Sequence, residues 1–289
     1  MLEILSPGPL CTVQDRGRPG WGHLGVGSSG AADRPSYALA NRLVGNEVGA
    51  AALEATFGGL IVRLRTAMLI AFTGAECAIA VTDGPDIGYQ HPVAVPAGAT
   101  VTLSSPRNGL RSYLAVRGGF DVARVMDSRS TDLLSGLGPR PLARGDVLAI
   151  GEDPGTGVPT ESAPTRRHPD RPILLWPGPR RDWFAEVAAR ELVTADYTVQ
   201  TTSNRIGVRL DGPPLRRVVE HELPSEGIVE GAVQVPGDGR PLVFLADHPV
   251  TGGYPVIAVV DAGDIARVAQ ARPGETLRFR WHSPSRARE

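Results

Sequence analysis

The sequence predicts a mainly β fold built as two barrel halves with a few short helices. Three observations predict it. First, short β-branched and apolar runs recur along the chain: LIVRL, MLIAF, ECAIAV, TVTL, SYLAV, VLAI, ILLW, YTVQ, GVRL, PLVFL, PVIAVV and TLRFRW. Gly or Pro bounds most of them, which marks strands between turns. Second, only three segments have helical character: Arg34 to Val44, with Asp33 as cap and Gly45 as stop, Asp182 to Leu192, and Asp264 to Ala269. Third, Gly151 to Pro172 is rich in Pro, Gly, Ser, Thr and charge and nearly free of large apolar residues, which predicts a linker or long exposed loop. The expected organisation is therefore 1–150, a connection over 151–172, and 173–289. So many short strands must close or stack to protect their edges, hence barrels. The halves echo one another in SPGPL and WPGPR and in TVQ at Thr12 and Thr198, echoes too short to establish duplication.

Composition narrows the chemistry. At 289 residues and 42% hydrophobic, the chain can bury a substantial core. Its 30 basic and 31 acidic residues leave a net charge of -1, so no global field recruits nucleic acid or an anionic membrane. The pairs Arg166–Arg167, Arg180–Arg181 and Arg216–Arg217 read as solvated surface. Lysine is absent, so all 30 basic residues are arginine. That excludes a Walker A lysine, a Schiff-base amine and a biotin attachment site. Nucleotide handling would have to use Arg, backbone N–H groups and carboxylate-held magnesium. The two cysteines, Cys11 and Cys77, lie in no CxxC or Cys/His cluster, which argues against structural zinc. Cys77 sits in an apolar stretch suited to a buried strand. No charged leader and no apolar run of the ~18 residues a membrane span needs is visible, which predicts a soluble cytoplasmic protein.

Polar groups gather in three places. Between Ser225 and Tyr254, apolar runs at Ile228–Val229, Gly231–Val235 and Leu242–Leu245 alternate with Gly237, Gly239, Gly252 and Gly253 as turns. That leaves Glu226, Asp247, His248, Thr251 and Tyr254 at strand ends, where a rigid sheet commonly carries chemistry. His248 is the best-placed general base. The same residues equally suit tight hairpins with carboxylates facing water. In TVQDRGRPGWGHLGVGSSGAAD, Asp15, Arg16 and Arg18 precede a glycine-rich passage that ends at a helix start, a natural anion site unless Asp15 and Arg16 merely pin a turn. The SRSTD run packs Ser128, Arg129, Ser130 and Thr131 beside Asp132, which suits an anion, a magnesium-nucleotide or ordinary capping. Arg117 in AVRGG and Arg205 after Ser203–Asn204 repeat the theme. No G-x-S-x-G occurs, which argues against a standalone serine hydrolase.

These segments carry a resemblance. SEGIVEGAVQVPGDGRPLVFLADHPVTGGYP, TVQDRGRPGWGHLGVGSSGAAD, ANRLVGN, RSYLAVRGGFDV, SRSTDLLSGLG, SNRIGVRLDG and ARPGETLRF together resemble the allophanate hydrolase subunit 2 family, also called the biotin-dependent carboxyltransferase family, over nearly the whole chain. Three positions depart from the family pattern: Val250 in place of Thr, Asn204 in place of Asp, and Asp127 where Gly often precedes SRST. A carboxylate at 127 would repel an anionic ligand if it faced one. The resemblance implies cyclophilin-like β-barrel halves and one subunit of an ATP-dependent 5-oxoprolinase that works with B-like and A-like partner subunits. In that reading Asp15, Glu226, Asp247 and His248 are catalytic or magnesium-holding. Arg16, Arg18, Arg117, Arg129, Ser130, Thr131, Arg205, Thr251, Gly252, Gly253 and Tyr254 bind substrate or phosphate. It implies two alternatives. One is a carboxyltransferase-type chain that handles urea- or allophanate-like compounds with a carboxybiotin carried elsewhere; the other is a non-enzymatic regulatory module.

Overall fold

The computed structural model describes residues 1–82, 88–155, 157–160, 162–164, 171–219 and 221–282. The chain divides into two compact units, Met1–Trp21 with Ser28–Arg167, and Gly22–Gly27 with His168–Glu289.

The first unit contains β1 (Leu2–Pro7), β2 (Leu10–Gln14), α1 (Arg34–Leu43), β3 (Ala52–Thr56), β4 (Leu60–Leu64), β5 (Met68–Glu76), β6 (Ile79–Val81), β7 (Val93–Val95), β8 (Thr100–Leu103), β9 (Asn108–Val116), β10 (Phe120–Asp121) and β11 (Val147–Ile150). They form a six-stranded sheet, β10-β11-β1-β4-β8-β6, and a five-stranded sheet, β2-β3-β9-β5-β7. The connections from β1 to β2, β3 to β4, β5 to β6, β7 to β8 and β9 to β10 each cross from one sheet to the other in two to four residues. Such short crossings bring the sheets face to face, and their apolar faces share one core: Leu2, Ile4, Val13, Leu53, Val62, Ile70, Phe72, Leu114 and Val116. β1 and β4 alternate buried and less buried positions, as a strand with one inward face must. β9 is instead buried almost throughout, because α1 covers its outer side with Tyr37, Ala40 and Leu43 against Ala71, Tyr113 and Ala115. α1 begins as predicted: Asp33 accepts hydrogen bonds from Ser36 N–H (3.0 Å) and Ser36 Oγ (2.7 Å).

The second unit contains β12 (Ile173–Pro177), α2 (Glu186–Thr194), β13 (Tyr197–Val199), β14 (Gly207–Asp211), β15 (Glu226–Gly227), β16 (Ala232–Gln234), β17 (Leu242–Phe244), β18 (Thr251–Gly252), β19 (Val256–Val260), α3 (Ile265–Gln270), β20 (Thr276–Leu277) and β21 (Phe279–Trp281). Its main sheet has eight strands in the order β20-β13-β14-β17-β16-β19-β12-β21, and β15 pairs with β18 beside it. The edge strands β20 and β21 are consecutive in the chain, separated by Arg278 alone. The sheet must therefore curl until its two edges nearly meet, which is how a chain of short strands protects its edges. Ile228, Ala232, Phe244 and Val256 pack as a core cluster.

Local expectations shift in four places. The helix expected over Asp182 to Leu192 is a 3-10 turn, Arg181–Trp183, followed by α2; between them Phe184 is extended and bridges Arg217, and both Trp183 and Phe184 are buried. The strand expected at Ile228–Val229 lies earlier, at Glu226–Gly227, and pairs with Thr251–Gly252, so Gly252 belongs to a strand and not to a turn. Cys77 is buried just beyond β5. Finally, the linker expected over 151–172 divides: its described residues up to Ala163 attach to the first unit, whereas Arg171 Nη1 and Nη2 donate to Asp264 of the second at 2.7 Å each. Arg117 Nη1 donates to Gly157 O (2.9 Å), Arg117 Nε to Asp153 (2.8 Å) and Ala163 N–H to Gln90 O (3.2 Å). A Pro/Gly-rich composition signals a segment without its own core, and such a segment can still lie along a neighbouring surface. Arg166 and Arg167 fall outside the described residues. No helix among the described residues is long and apolar enough to cross a membrane.

Candidate functional site

The densest polar constellation of the first unit is built where β2 ends. Asp15 is nearly buried, and its Oδ1 accepts hydrogen bonds from Gly17 N–H (2.7 Å), Ser128 Oγ (2.7 Å) and Ser130 Oγ (2.6 Å), while Oδ2 accepts Arg129 N–H (2.6 Å). Thr131 N–H donates to Val13 O (2.9 Å), and Thr131 O accepts from Gln14 Nε2 (3.0 Å) and Ser29 Oγ (3.1 Å). The SRST run is thus clipped to the strand end by a single carboxylate and its neighbours. Arg18 is 1% exposed and braces the same run: Nη2 donates to Ser130 O, and Nη1 lies 3.8 Å from Asp132 Oδ2. Two glycines are needed for this closeness. A Cβ at Gly138 would lie 2.0 Å from Ser130 O, and one at Gly17 2.4 Å from Ser28 O.

Asp15, Arg16, Arg18 and Arg129 line one cleft of about 520 Å³. Arg129 is engaged, its Nη2 donating to Asp121 Oδ1 (2.9 Å) and its Nε to Val122 O (2.9 Å). Arg16 and Arg124 are exposed on the wall, as are Glu47, Asp127 and Glu152, and none of their side chains forms a hydrogen bond or ion pair with another described residue. The cleft therefore offers unpaired guanidinium and unpaired carboxylate together. Burial pushes the nearby Tyr37 phenol up, Asp15 adding to the effect and Arg16 opposing it. Of the other predicted first-unit residues, Arg117 is held by Asp153, Val44 O and Gly157 O, and does not line the cleft.

Beneath the site lies a buried network that no motif announced. Glu54 Oε2 accepts from Ala32 N–H (3.0 Å) and Tyr113 Oη (2.7 Å), Tyr113 Oη accepts from Asp33 N–H (2.8 Å), and Arg111 Nε lies 3.5 Å from Glu54 Oε1. Burial, with Glu54 adding, raises the Tyr113 phenol well above its ordinary value and keeps it a donor. The glycine-rich passage is thereby fixed at Ala32–Asp33, where α1 starts. The alternation of β3 and β9 places Glu54 and Tyr113 opposite each other, a register that becomes visible only once the strands are paired.

In the second unit the predicted residues fall into two groups. Arg205 and Asp247 are buried and pair with each other, Nε to Oδ2 at 2.9 Å and Nη2 to Oδ1 at 3.0 Å. Glu226 pairs with Arg180 (Nε to Oε2, 2.9 Å) and lies opposite Gly252 in the β15–β18 ladder. Thr251, Gly253 and Tyr254 are exposed, and the Arg217 guanidinium lies 5.7 Å from the Tyr254 ring centre. His248 Nδ1–H donates to Pro249 O (2.8 Å), which leaves Nε2 as the basic nitrogen of the neutral ring. No three His, Cys, Asp or Glu side chains group to hold a metal ion among the described residues. Asp15 and Asp247 are each engaged by the partners above. Burial raises both thiols, Glu54 contributing at Cys11, and keeps them protonated.

Two layers of sheet in one unit, a curled eight-stranded sheet in the other, and a polar cleft at a strand end make this a mainly β protein with a candidate anion-binding site. Residues 24–281 match the family model for the carboxyltransferase domain, subdomain A and B, and the chain belongs to that family. It is similar to the C subunit of the 5-oxoprolinase of Escherichia coli (strain K12), 39% identical over 283 residues, which span 96% of this chain and 90% of that protein. It is also similar to the urea amidolyase of Lachancea kluyveri, 33% identical over 306 residues, spanning 96% of this chain and 17% of that protein. Among solved structures, TTHA0988 superposes with a TM-score of 0.87 at 38% identity, covering 96% of this chain and 55% of that one. The K. lactis urea amidolyase superposes with a TM-score of 0.88 at 30% identity, covering 98% of this chain and 19% of that one. The chain thus spans about half the length of the first solved relative and nearly all of the E. coli one.

Proposed function

We propose that the chain is one subunit of an ATP-dependent 5-oxoprolinase that opens 5-oxoproline to glutamate together with B-like and A-like partner subunits. The observation that supports this best is its end-to-end similarity to proteins named as the C subunit of 5-oxoprolinase, in Escherichia coli and in Haemophilus influenzae. A five-membered lactam is an unactivated amide. Transfer of the γ-phosphoryl of ATP to the lactam oxygen, with release of ADP, makes its carbon an electrophile that water can attack. Ring opening and loss of phosphate then leave glutamate. In this reading the first unit's cleft takes substrate or phosphate, with Arg16 and Arg124 neutralising the anion. Asp15 keeps the SRST loop in place around it. Arg129 contributes its charge while tethered to Asp121. In the second unit, His248 is a group available for proton transfer, as is Glu226, which Arg180 orients. Magnesium would arrive with the nucleotide. The test is 5-oxoproline-dependent ATP hydrolysis by the co-purified subunits, each omitted in turn. Turnover that vanishes without this chain supports the reading; turnover that persists without it overturns it.

The similarity to urea amidolyases supports a second reading, carboxyl transfer from a carboxybiotin carried by another chain. Having no lysine, this chain would act only as acceptor of that arm. Stimulation by carboxybiotin and urea, with none by 5-oxoproline, would favour it.

A further inference from the structure

One strained element on the wall of the first unit's cleft leads directly into the SRST loop, whose first residue, Ser128, closes it. Val125 and Ser128 close a two-residue hairpin, Val125 N–H donating to Ser128 O at 2.8 Å and Ser128 N–H returning to Val125 O at 3.3 Å. Between them Met126 (φ 52°) and Asp127 (φ 65°) are both left-handed. A two-residue turn with both central residues left-handed is the type I′ turn, for which Asn-Gly is the favoured pair. Asp tolerates this conformation better than most residues; Met does not. The chain nevertheless places a thioether and a carboxylate there, and both residues line the cleft. The Asp127 carboxylate forms no hydrogen bond or ion pair with another described residue, so this side chain offsets none of the strain of its own left-handed backbone within the unit. Two unpaired guanidinium groups, Arg16 and Arg124, line the same cleft.

We propose that the Met126–Asp127 turn is the specificity element of this cleft. Asp127 accepts a hydrogen bond from the ring N–H of a small lactam carboxylate, Arg16 and Arg124 take the ligand's carboxylate, and Met126 lies against its ring. This rests on the reading that the complex acts on 5-oxoproline, whose single N–H and single carboxylate are the two features the wall complements. The wall as a whole selects against a nucleotide in this cleft, because a polyphosphate would meet the unpaired carboxylates of Glu47 and Glu152 as well as that of Asp127. The nucleotide would then be held elsewhere in the assembly.

The experiment uses the assembled complex with wild-type chain, Asp127→Gly, Arg16→Ala and the paired change Met126→Asn with Asp127→Gly. Three probes are compared as substrate or competitor: 5-oxoproline, its ring-oxygen lactone analogue lacking the N–H, and 2-pyrrolidinone lacking the carboxylate. Wild type should prefer the lactam to the lactone by roughly tenfold, and Asp127→Gly should erase that preference and raise KM for 5-oxoproline by about the same factor. Arg16→Ala should weaken 5-oxoproline and leave 2-pyrrolidinone unaffected. The Asn-Gly variant should melt roughly 2–4 °C higher than wild type, since it relieves the turn while losing the ligand contact. A turn with no ligand role would show the same rise in melting temperature with the lactam preference intact, and that outcome overturns the proposal. If 5-oxoproline fails to stimulate ATP hydrolysis while calorimetry still shows Asp127-dependent lactam binding, the oxoprolinase reading falls and the inference stands. Full 5-oxoproline turnover with unchanged KM and lactam preference in Asp127→Gly overturns the inference alone. A wild-type complex that binds none of the probes overturns both.

Discussion

Replacing Asp15 tests how the candidate site is held together. Its carboxylate accepts four hydrogen bonds, from Gly17 N–H, Ser128 Oγ, Ser130 Oγ and Arg129 N–H, at 2.6 to 2.7 Å. Hydrogen bonds to a charged group contribute about 1.5–3 kcal/mol each, and those made by one residue are far from additive. Two of the orphaned donors are hydroxyls able to turn toward each other or toward cleft water; the two backbone N–H groups have no such freedom. A cost of about 3–5 kcal/mol for Asp15→Ala follows, the range for removing one partner from a buried charged network. Asp15→Asn keeps one acceptor oxygen but sets an amide N–H₂ against one of the donors, so about half that loss is expected. Urea unfolding followed by fluorescence and circular dichroism measures both. If Asp15→Ala costs less than about 0.5 kcal/mol, or Asp15→Asn costs more than Asp15→Ala, Asp15 is not the organiser of this loop.

Two further outcomes follow from paired charges in the second unit. Arg205→Met leaves Asp247 buried without the guanidinium that pairs with it and should cost about 3–5 kcal/mol, whereas Arg205→Met with Asp247→Leu should recover much of that loss; equal single and double losses in chemical unfolding would contradict a simple ion-pair account. Asp264 is buried, and burial pushes its carboxyl up; hydrogen bonds from Arg171, Leu174 N–H and Arg267 more than offset this and hold it below its ordinary value of 3.8. A folded-state value below the unfolded one means that the ionised form stabilises the fold. This contribution is complete above the unfolded value and disappears as pH falls through the folded one. The stability gap between wild type and Asp264→Asn should therefore be constant above about pH 5 and close below about pH 4. A gap that stays open down to pH 2 would show that another interaction sets it.

The strands were legible because each apolar run is short, β-branched and bounded by Gly or Pro, and α1 because Asp33 and Gly45 mark its ends. Where the sequence misleads, packing decides. Trp183 and Phe184 are both buried, and the chain breaks the expected helix between them. Gly252 looks like a turn residue but lies opposite Glu226 in a two-residue ladder, a pairing set by residues 26 positions apart. In the cleft, Asp15, Arg16, Arg18 and Arg129 stood out by charge density near glycines. Their different situations did not: Arg18 is buried and braced, Arg129 tethered, Arg16 free of ion pairs. Glu47, Arg124 and Met126 belong to no motif and join the site only through the fold. Asp127 was visible as a departure from a glycine, and its left-handed backbone explains why glycine suits the position.

The most direct test of the account is the stoichiometry of glutamate to ADP produced from 5-oxoproline and ATP by the reconstituted subunits, with and without this chain. The account predicts one glutamate per ADP when the chain is present and neither product above background when it is omitted. Equal glutamate formation without it, or ADP formation indifferent to 5-oxoproline in the full complex, would contradict its place in lactam opening.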